Sequence, residues 1–246
     1  DNINAELPIL GNLETWEETC HFAGGRVGGQ LTPLQIKGNF VARGRVYAWS
    51  TATEIILWGN CTFMGSDGTL YFPTLRFGSP AEAATNAQVI DKQSSGVLTA
   101  NHLFINNSHA SGVTFTGSQS FTKMDVLGTL TFQQGKLFLG STITGIALVN
   151  PVVGASSSNY IVTPGTSKVQ GPVNTTAYLF PVGTSTSYNP LSLRFSANVS
   201  FPTSVQVLDD NSLGTNALNK KWVITGHANY GYVANFQWNS DNENNG

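Results

Sequence analysis

Apolar residues in this chain almost nowhere recur at the spacing of a helix. They come instead in short stretches rich in Val, Ile, Thr, Phe and Tyr, set off by Gly, Asn or Ser, which is the signature of brief β-strands separated by turns. Glu54-Ile55-Ile56-Leu57-Trp58, His102-Leu103-Phe104-Ile105, Gly112-Val113-Thr114-Phe115-Thr116 and Lys136-Leu137-Phe138-Leu139 are examples. The one fragment of helical character, Pro80-Ala81-Glu82-Ala83-Ala84, is too short to hold a helix by itself in water. An all-β fold is therefore expected.

Over residues 96–145 the stretches form an imperfect repeat of a glycine or polar turn followed by a short alternating strand. The alternation predicts that Val113 and Phe115, Leu130 and Phe132, and Leu137 and Leu139 point inward, while Thr114, Thr116, Thr129 and Thr131 point outward. Gly117, Gly128, Gly135 and Gly140 punctuate the turns. A parallel β-solenoid accounts for the likeness between units, because stacked coils set like on like. An antiparallel sandwich accounts for the tight turn at Gln133-Gln134-Gly135. The solenoid is the preferred reading for these residues. Near Pro151 the composition shifts toward Pro and Asn, and the alternation in residues 191–195 and 204–208 is that of half-buried antiparallel strands. The expected organisation is an N-terminal arm over 1–30, a parallel β-solenoid-like domain over 31–149, an antiparallel β-sandwich-like domain over 150–238 and a flexible tail over 239–246.

Charged residues are 11% of the chain, against about 25% in ordinary soluble domains. Apolar residues are 40%, enough for a core, so the surface is one of hydroxyl and amide groups, as in many secreted β-proteins. The formal net charge is −2 and Lys220-Lys221 is the densest basic spot. That is no electrostatic footprint for nucleic acid. No apolar run approaches the ~18 residues of a membrane-spanning helix. Asp1-Asn2-Ile3-Asn4 shows neither the basic nor the apolar segment of a signal peptide, so a secreted product would be a mature form or an excised piece. Cys20 and Cys61 read as one disulfide, closing a loop of about forty residues worth ~3–4 kcal/mol in the chain-entropy model. Two buried thiols are the alternative. No Cys-x-x-Cys occurs, which removes a zinc knuckle or a thioredoxin-type site.

The residues that could carry chemistry are scattered. His102 and His109 lack an acidic or thiol neighbour at metal-ligand spacing, and His21 beside Cys20 loses its meaning if that cysteine is bridged. Glu14, Glu17 and Glu18 flank Trp16, while Asp209-Asp210-Asn211-Ser212 reads as an Asx-type turn with calcium binding as the alternative. Glycoside cleavage needs two carboxyl groups facing one another across ~5–10 Å, and neither cluster suggests that. Gly24-Gly25-Arg26-Val27-Gly28-Gly29 is not followed by a helical pattern and reads as a flexible turn rather than a phosphate loop. No metal site and no cofactor are expected. Tyr230 and Tyr232, near His227, are the better candidates for a glycan contact, but core packing is the preferred reading for these aromatics. Thr114/Thr116 and Thr129/Thr131 are too few for a crystal-binding ladder. Asn60, Asn106, Asn174 and Asn198 begin N-glycosylation sequons, as chance provides in an Asn/Thr-rich chain.

Four phrases carry a family likeness. Gly128-Thr129-Leu130-Thr131-Phe132-Gln133-Gln134-Gly135-Lys136-Leu137-Phe138-Leu139-Gly140 resembles the "GTLTLTNGKLTLG" phrase of large secreted surface proteins of Bacteroidetes. Ser156-Ser157-Ser158-Asn159-Tyr160-Ile161-Val162-Thr163-Pro164-Gly165-Thr166 is similar to their "SSSYIVTNGTG", and Phe180-Pro181-Val182-Gly183-Thr184-Ser185-Thr186-Ser187-Tyr188-Asn189-Pro190 to their "FPVGTSSSYNPV". Lys220-Lys221-Trp222-Val223-Ile224 sits where that family has "VNRTWNI". The likeness covers about residues 130–225 and extends more weakly over 30–127. It implies export, often by the type IX route, and a role in adhesion, gliding or surface-layer structure. The family's usual C-terminal sorting domain has no counterpart in this sequence.

The functional expectation is a non-catalytic extracellular structural or adhesive protein of the cell surface, associating with itself or with neighbouring surface proteins, in one version as the subunit of a filament. Ala5, Leu7, Ile9 and Leu10 form an apolar arm without an obvious partner strand, suited to adding to the open sheet edge of a neighbour. A carbohydrate-binding module and a β-helix polysaccharide-degrading enzyme are the rival classes.

Overall fold

The computed structural model describes residues 10–15, 19–22, 25–27, 30–43, 45–48, 54–64, 70–93, 97–118, 122–197, 200–210, 219–226 and 229–238. Among them the regular structure is all β. Numbering strands in chain order, one eight-stranded sheet stacks β1 (Leu13–Thr15), β6 (Phe40–Ala42), β9 (Cys61–Phe63), β11 (Gln88–Lys92), β13 (Val113–Gly117), β16 (Leu137–Leu139), β18 (Ile161–Val162) and β21 (Val182–Gly183). A second sheet stacks β2 (Thr19–Phe22), β7 (Arg45–Ala48), β10 (Leu70–Phe77), β12 (Val97–Asn106), β14 (Lys123–Val126), β17 (Gly145–Leu148), β19 (Lys168–Val173), β23 (Phe201–Asp209) and β24 (Lys220–Thr225). The long strands β10 and β12 carry on into a third side, where β5 (Leu34–Ile36), β8 (Glu54–Leu57) and β15 (Leu130–Gln134) join them. Pairing is parallel from β1 through β21 on the first sheet and from β2 through β19 on the second. This is a three-sided parallel β-solenoid.

Antiparallel strands complete it. β23 pairs with β19 and β24 with β23, extending the second sheet in the opposite sense. β20 (Tyr178–Phe180), β22 (Leu191–Phe195) and β25 (Tyr232–Phe236) form a separate antiparallel sheet. Trp222 of β24 meets Phe236 of β25 edge-on at 5.2 Å, so that sheet faces the extended second sheet in sandwich fashion. A small hairpin joins β3 (Gly25–Val27) to β4 (Gln30–Thr32). The parallel stacking runs on past residue 149 to Gly183. The composition change at Pro151 therefore marks the long connection from β17 to β18 rather than the switch in strand sense.

The reason for the stacking lies in the alternation. Val113, Phe115, Leu130, Phe132, Leu137 and Leu139 are all buried, as their spacing predicts, and Thr114, Thr116, Thr129 and Thr131 are half-exposed. Register then places like on like: Phe40, Cys61, Ile90, Phe115 and Leu139 make one inward column, and Ile36, Leu57, Phe77, Ile105 and Phe132 another. Burying each such side chain contributes about 1.5–3 kcal/mol. The cluster reaches unbroken from Leu34 to Val207, taking in Tyr178, Phe180, Leu191, Leu193 and Phe195 of the antiparallel strands and their connections. The turn at Gln133-Gln134-Gly135 is a corner between two sides of a coil, not a hairpin. Gly135 takes φ +89° there, and its N–H donates to Asn159 Oδ1 at 2.8 Å. Residues 80–84 are a loop, held by the Glu82 N–H donating to Ser79 Oγ at 2.9 Å.

The expected disulfide is not formed. Cys61 is a free, fully buried thiol in the inward column between Phe40 and Ile90. Burial, and secondarily the Asp91 carboxylate, pushes its pKa well up, so it behaves as a small core hydrophobe. The backbone of Cys20 belongs to β2 in the other sheet, opposite Val46, and its side chain lies outside the described residues.

A polar ladder fixes the coil corner. Asn12 Oδ1 accepts the Asn39 N–H (2.8 Å), Asn39 Oδ1 the Asn60 N–H (2.8 Å), and Asn60 Oδ1 the Val89 N–H (2.9 Å). The glycines before Asn39 and Asn60 let the coils close up. A Cβ on Gly38 would stand 2.5 Å from Gly11 backbone, and one on Gly59 would stand 2.5 Å from the Gly38 carbonyl carbon. Buried Gln88 continues the corner, its Nε2 donating to Leu57 O (3.1 Å) and Gly59 O (3.0 Å) while its Oε1 accepts from Asn107 Nδ2 (2.8 Å).

Candidate functional site

A cleft of about 310 Å³ opens where β23 runs beside the end of the first sheet. Phe138 and Val162 hold the same outward register position on β16 and β18, and with Pro164 and Leu208 they line it. Besides its backbone ladders, the crossing strand is tied here by Thr163 Oγ1, which accepts the Val207 N–H (2.9 Å) and donates to Val207 O (3.2 Å), and by Gln206 Nε2, which donates to Gly165 O. On the opposite rim Thr184 Oγ1 lies 3.0 Å from Ser187 Oγ, and Ser187 Oγ donates to Asn189 Oδ1 at 2.7 Å. Tyr160 donates its hydroxyl to Thr184 O (2.9 Å), and Lys136 Nζ donates to Ser185 O (2.9 Å) while sitting over the Tyr160 ring. Asp209 brings a half-exposed carboxylate, ion-paired with Lys220. An apolar wall beside exposed Ser185 and one carboxylate suits a ring with one apolar face and a polar edge.

The residues singled out in the sequence fall elsewhere. Tyr230 and Tyr232 both pack on buried Phe195, with ring centroids 6.1 and 4.8 Å away. Each is half-buried, at the flank of the sandwich core rather than on a free platform. His227 lies outside the described residues, as do Ala5, Leu7 and Ile9 of the arm. Leu10 is described and is 80% exposed. Asp210 donates its N–H to Asn219 O at 2.8 Å, and Asn211 and Ser212 of that turn are outside the described residues. His102 Nδ1 accepts the Thr129 N–H (3.3 Å) and His109 Nδ1 accepts the Ser111 N–H (3.1 Å), so each histidine holds local backbone. Glu14 is ion-paired with Arg43 at 2.6 Å; Glu17, Glu18 and the His21 side chain are outside the described residues. Thr114 and Thr116 lie on β13 in the first sheet, whereas Thr131 lies on β15 in the other. The two threonine pairs therefore form no common ladder.

Two features escaped the sequence reading. The asparagine ladder had a signal, Gly-Asn followed by an apolar residue at 11–13, 38–40 and 59–61, but its unequal steps of 27 and 21 residues obscure the repeat. The Phe138 cleft had none, because it joins segments from 138 to 209 that only the coil stacking brings together. Against known proteins, no family model matches this chain, and neither does any curated protein or solved structure.

Proposed function

We propose that this chain is a non-catalytic extracellular structural or adhesive protein of a cell surface, associating with copies of itself or with neighbouring surface proteins. The observation that carries this reading is the single core running from Leu34 to Val207, which joins the solenoid and the antiparallel strands into a single stiff body. Eight strands stacked at ~4.8 Å span about 34 Å. Such a body is suited to spacing and presentation, and its sides offer half-exposed Thr and Asn with few charges among them. Among the described residues both sheets also end in unpaired edges, at β1 on one and β24 on the other, where a neighbour's strand could add. The exposed Leu10 just ahead of β1 belongs to the arm suited to that addition. Electron microscopy of natively isolated material, with the subunit mass taken on denaturation, tests this. Regular rods or filaments that dissociate when residues 1–9 are deleted support it. Release of products from a polysaccharide by the purified chain would overturn it.

The second reading, a carbohydrate-binding module, is favoured by the Phe138 cleft. Glycan-array binding that is lost on Phe138→Ala and kept on Tyr232→Ala would place the sugar there. The reverse pattern would place it at the tyrosines.

A further inference from the structure

On the outward face of the second sheet, β14, β17 and β19 set Lys123, Gly145 and Lys168 at one register position. Neighbouring strands lie ~4.8 Å apart, so the two lysine Cα atoms are roughly 10 Å apart with a glycine between them. Gly145 must be glycine. Its φ is +140°, and a Cβ would overlap the Lys168 carbonyl. The consequence is a notch in the side-chain row, flanked by two ammonium groups. The next outward row sets Asp125 opposite Ala147, Ala147 opposite Gln170, Gln170 opposite Ser204 and Ser204 opposite Thr225.

These residues enclose a groove of about 310 Å³, lined by Lys123, Lys168, Thr144, Gln170 and Ser204 over Gly145. Every polar side chain in that lining can donate a hydrogen bond. Lys123 is braced by Asp125 at 2.9 Å, and Lys168 Nζ donates to Thr225 Oγ1 at 3.1 Å. One carboxylate thus accompanies two ammonium groups, and Lys168 is held by a neutral hydroxyl. In a chain with twelve lysines and arginines and a net charge of −2, two lysines converging on one groove is a local reversal of sign.

We propose that this groove binds an oxyanion group, carboxylate or sulfate, carried by an acidic polysaccharide. The ammonium groups supply charge, and the hydroxyls and amide supply directed donors to the remaining oxygens. The groove is open along the sheet face, so a polymer can pass through it. This deepens the adhesive reading by naming a ligand class, at a site separate from the Phe138 cleft.

The test is binding of the purified chain at low salt to a sulfated polysaccharide (heparin), a uronate polymer (alginate) and a neutral one (dextran), with inorganic sulfate as competitor. The variant pair is Lys123→Gln with Lys168→Gln, and exposed Lys221→Gln is the control, each checked for retained fold by circular dichroism. Expected are binding to heparin or alginate but not dextran, steep weakening with salt, and a loss of about tenfold or more in the double variant. Lys221→Gln leaves affinity within about twofold. Sulfate competition against a bound polymer supports the same site. The proposal is overturned if no acidic polymer binds, if the double variant binds like the parent, or if inorganic sulfate binds and neither acidic polymer does. Product release is followed in the same samples. Binding with chain cleavage would keep the groove and sink the non-catalytic reading, whereas no binding sinks the groove alone.

Discussion

Replacing Gly59 with alanine adds one methyl group where two coils touch. That Cβ would stand 2.5 Å from the Gly38 carbonyl carbon and 2.8 Å from Asn39 Oδ1, the atom that receives the Asn60 N–H. The obstructing atoms are mostly backbone of the preceding coil, which cannot rotate away as a side-chain end could. Overpacking costs typically 1–3 kcal/mol, and a backbone obstacle places this case at the upper end. Alanine returns about 0.4–1 kcal/mol by restricting the unfolded chain, leaving a net loss of about 2 kcal/mol. For a chain of this size that lowers the melting temperature by about 4–8 °C. Gly38→Ala meets Gly11 backbone at 2.5 Å and is expected to behave alike. Gly11 is the informative control, because its Cβ would meet nothing within 4 Å, and Gly11→Ala is expected to be neutral or slightly stabilising. Thermal unfolding followed by circular dichroism separates the three. A Gly59→Ala protein melting within about 1 °C of the parent, or a Gly11→Ala loss equal to it, would refute the coil stacking from which the argument starts.

Asn39→Ala removes the acceptor of the Asn60 N–H and should cost about 1 kcal/mol in urea unfolding without a change of slope. Phe115→Ala empties a fully buried position in the inward column and should cost about 3–5 kcal/mol by the same assay. Cys61 is expected to resist a thiol-reactive dye in the native state and to react once unfolded, since its thiol is buried and its pKa raised. Labelling of Cys61 under native conditions would contradict its placement. Burial also raises the pKa of Tyr178, whose hydroxyl donates to Asn150 O at 2.9 Å, and that of Tyr188. Their contribution is therefore full below the unfolded tyrosine pKa of about 10 and is lost as pH rises, at up to about 1.4 kcal/mol per unit for Tyr178 and less for the more solvated Tyr188. Tyr178→Phe should cost about 1 kcal/mol at neutral pH and flatten the alkaline decline; an unchanged slope would show the phenol to be solvated.

Strand identity was legible because a side-chain period of two is written into the residues themselves. Val113, Phe115, Leu137 and Leu139 alternate with half-exposed neighbours in the sequence as they do in the fold. Strand partners were harder, since the same alternation serves a parallel coil and an antiparallel sandwich. The glycine at 135 turns a solenoid corner with the residues of a hairpin turn. Cys61 misled for a related reason: a pair of cysteines suggests a bridge, and only the register shows that this one faces the core. Tyr230 and Tyr232 both lie against the ring of Phe195, a packing that their spacing in the sequence does not distinguish from an open platform. The lysine groove was beyond reach, for Lys123 and Lys168 meet only because two coils of unlike sequence carry them to one register position.

Everything placed on the surface depends on the parallel register, and disulfide trapping reads it directly. Val89 lies opposite Thr114 and Asp91 opposite Thr116 on adjacent strands, all four facing outward. Their Cα atoms are thus about 4.8 Å apart, within reach of a disulfide, whereas the crossed pairs are about 8 Å apart and out of reach. Cysteine pairs at 89/114 and at 91/116, oxidised and located by peptide mass mapping, should cross-link in high yield, and pairs at 89/116 and 91/114 should not. The reverse pattern, with the crossed pairs bridging and the direct pairs remaining reduced, would make β11 and β13 antiparallel and remove the solenoid.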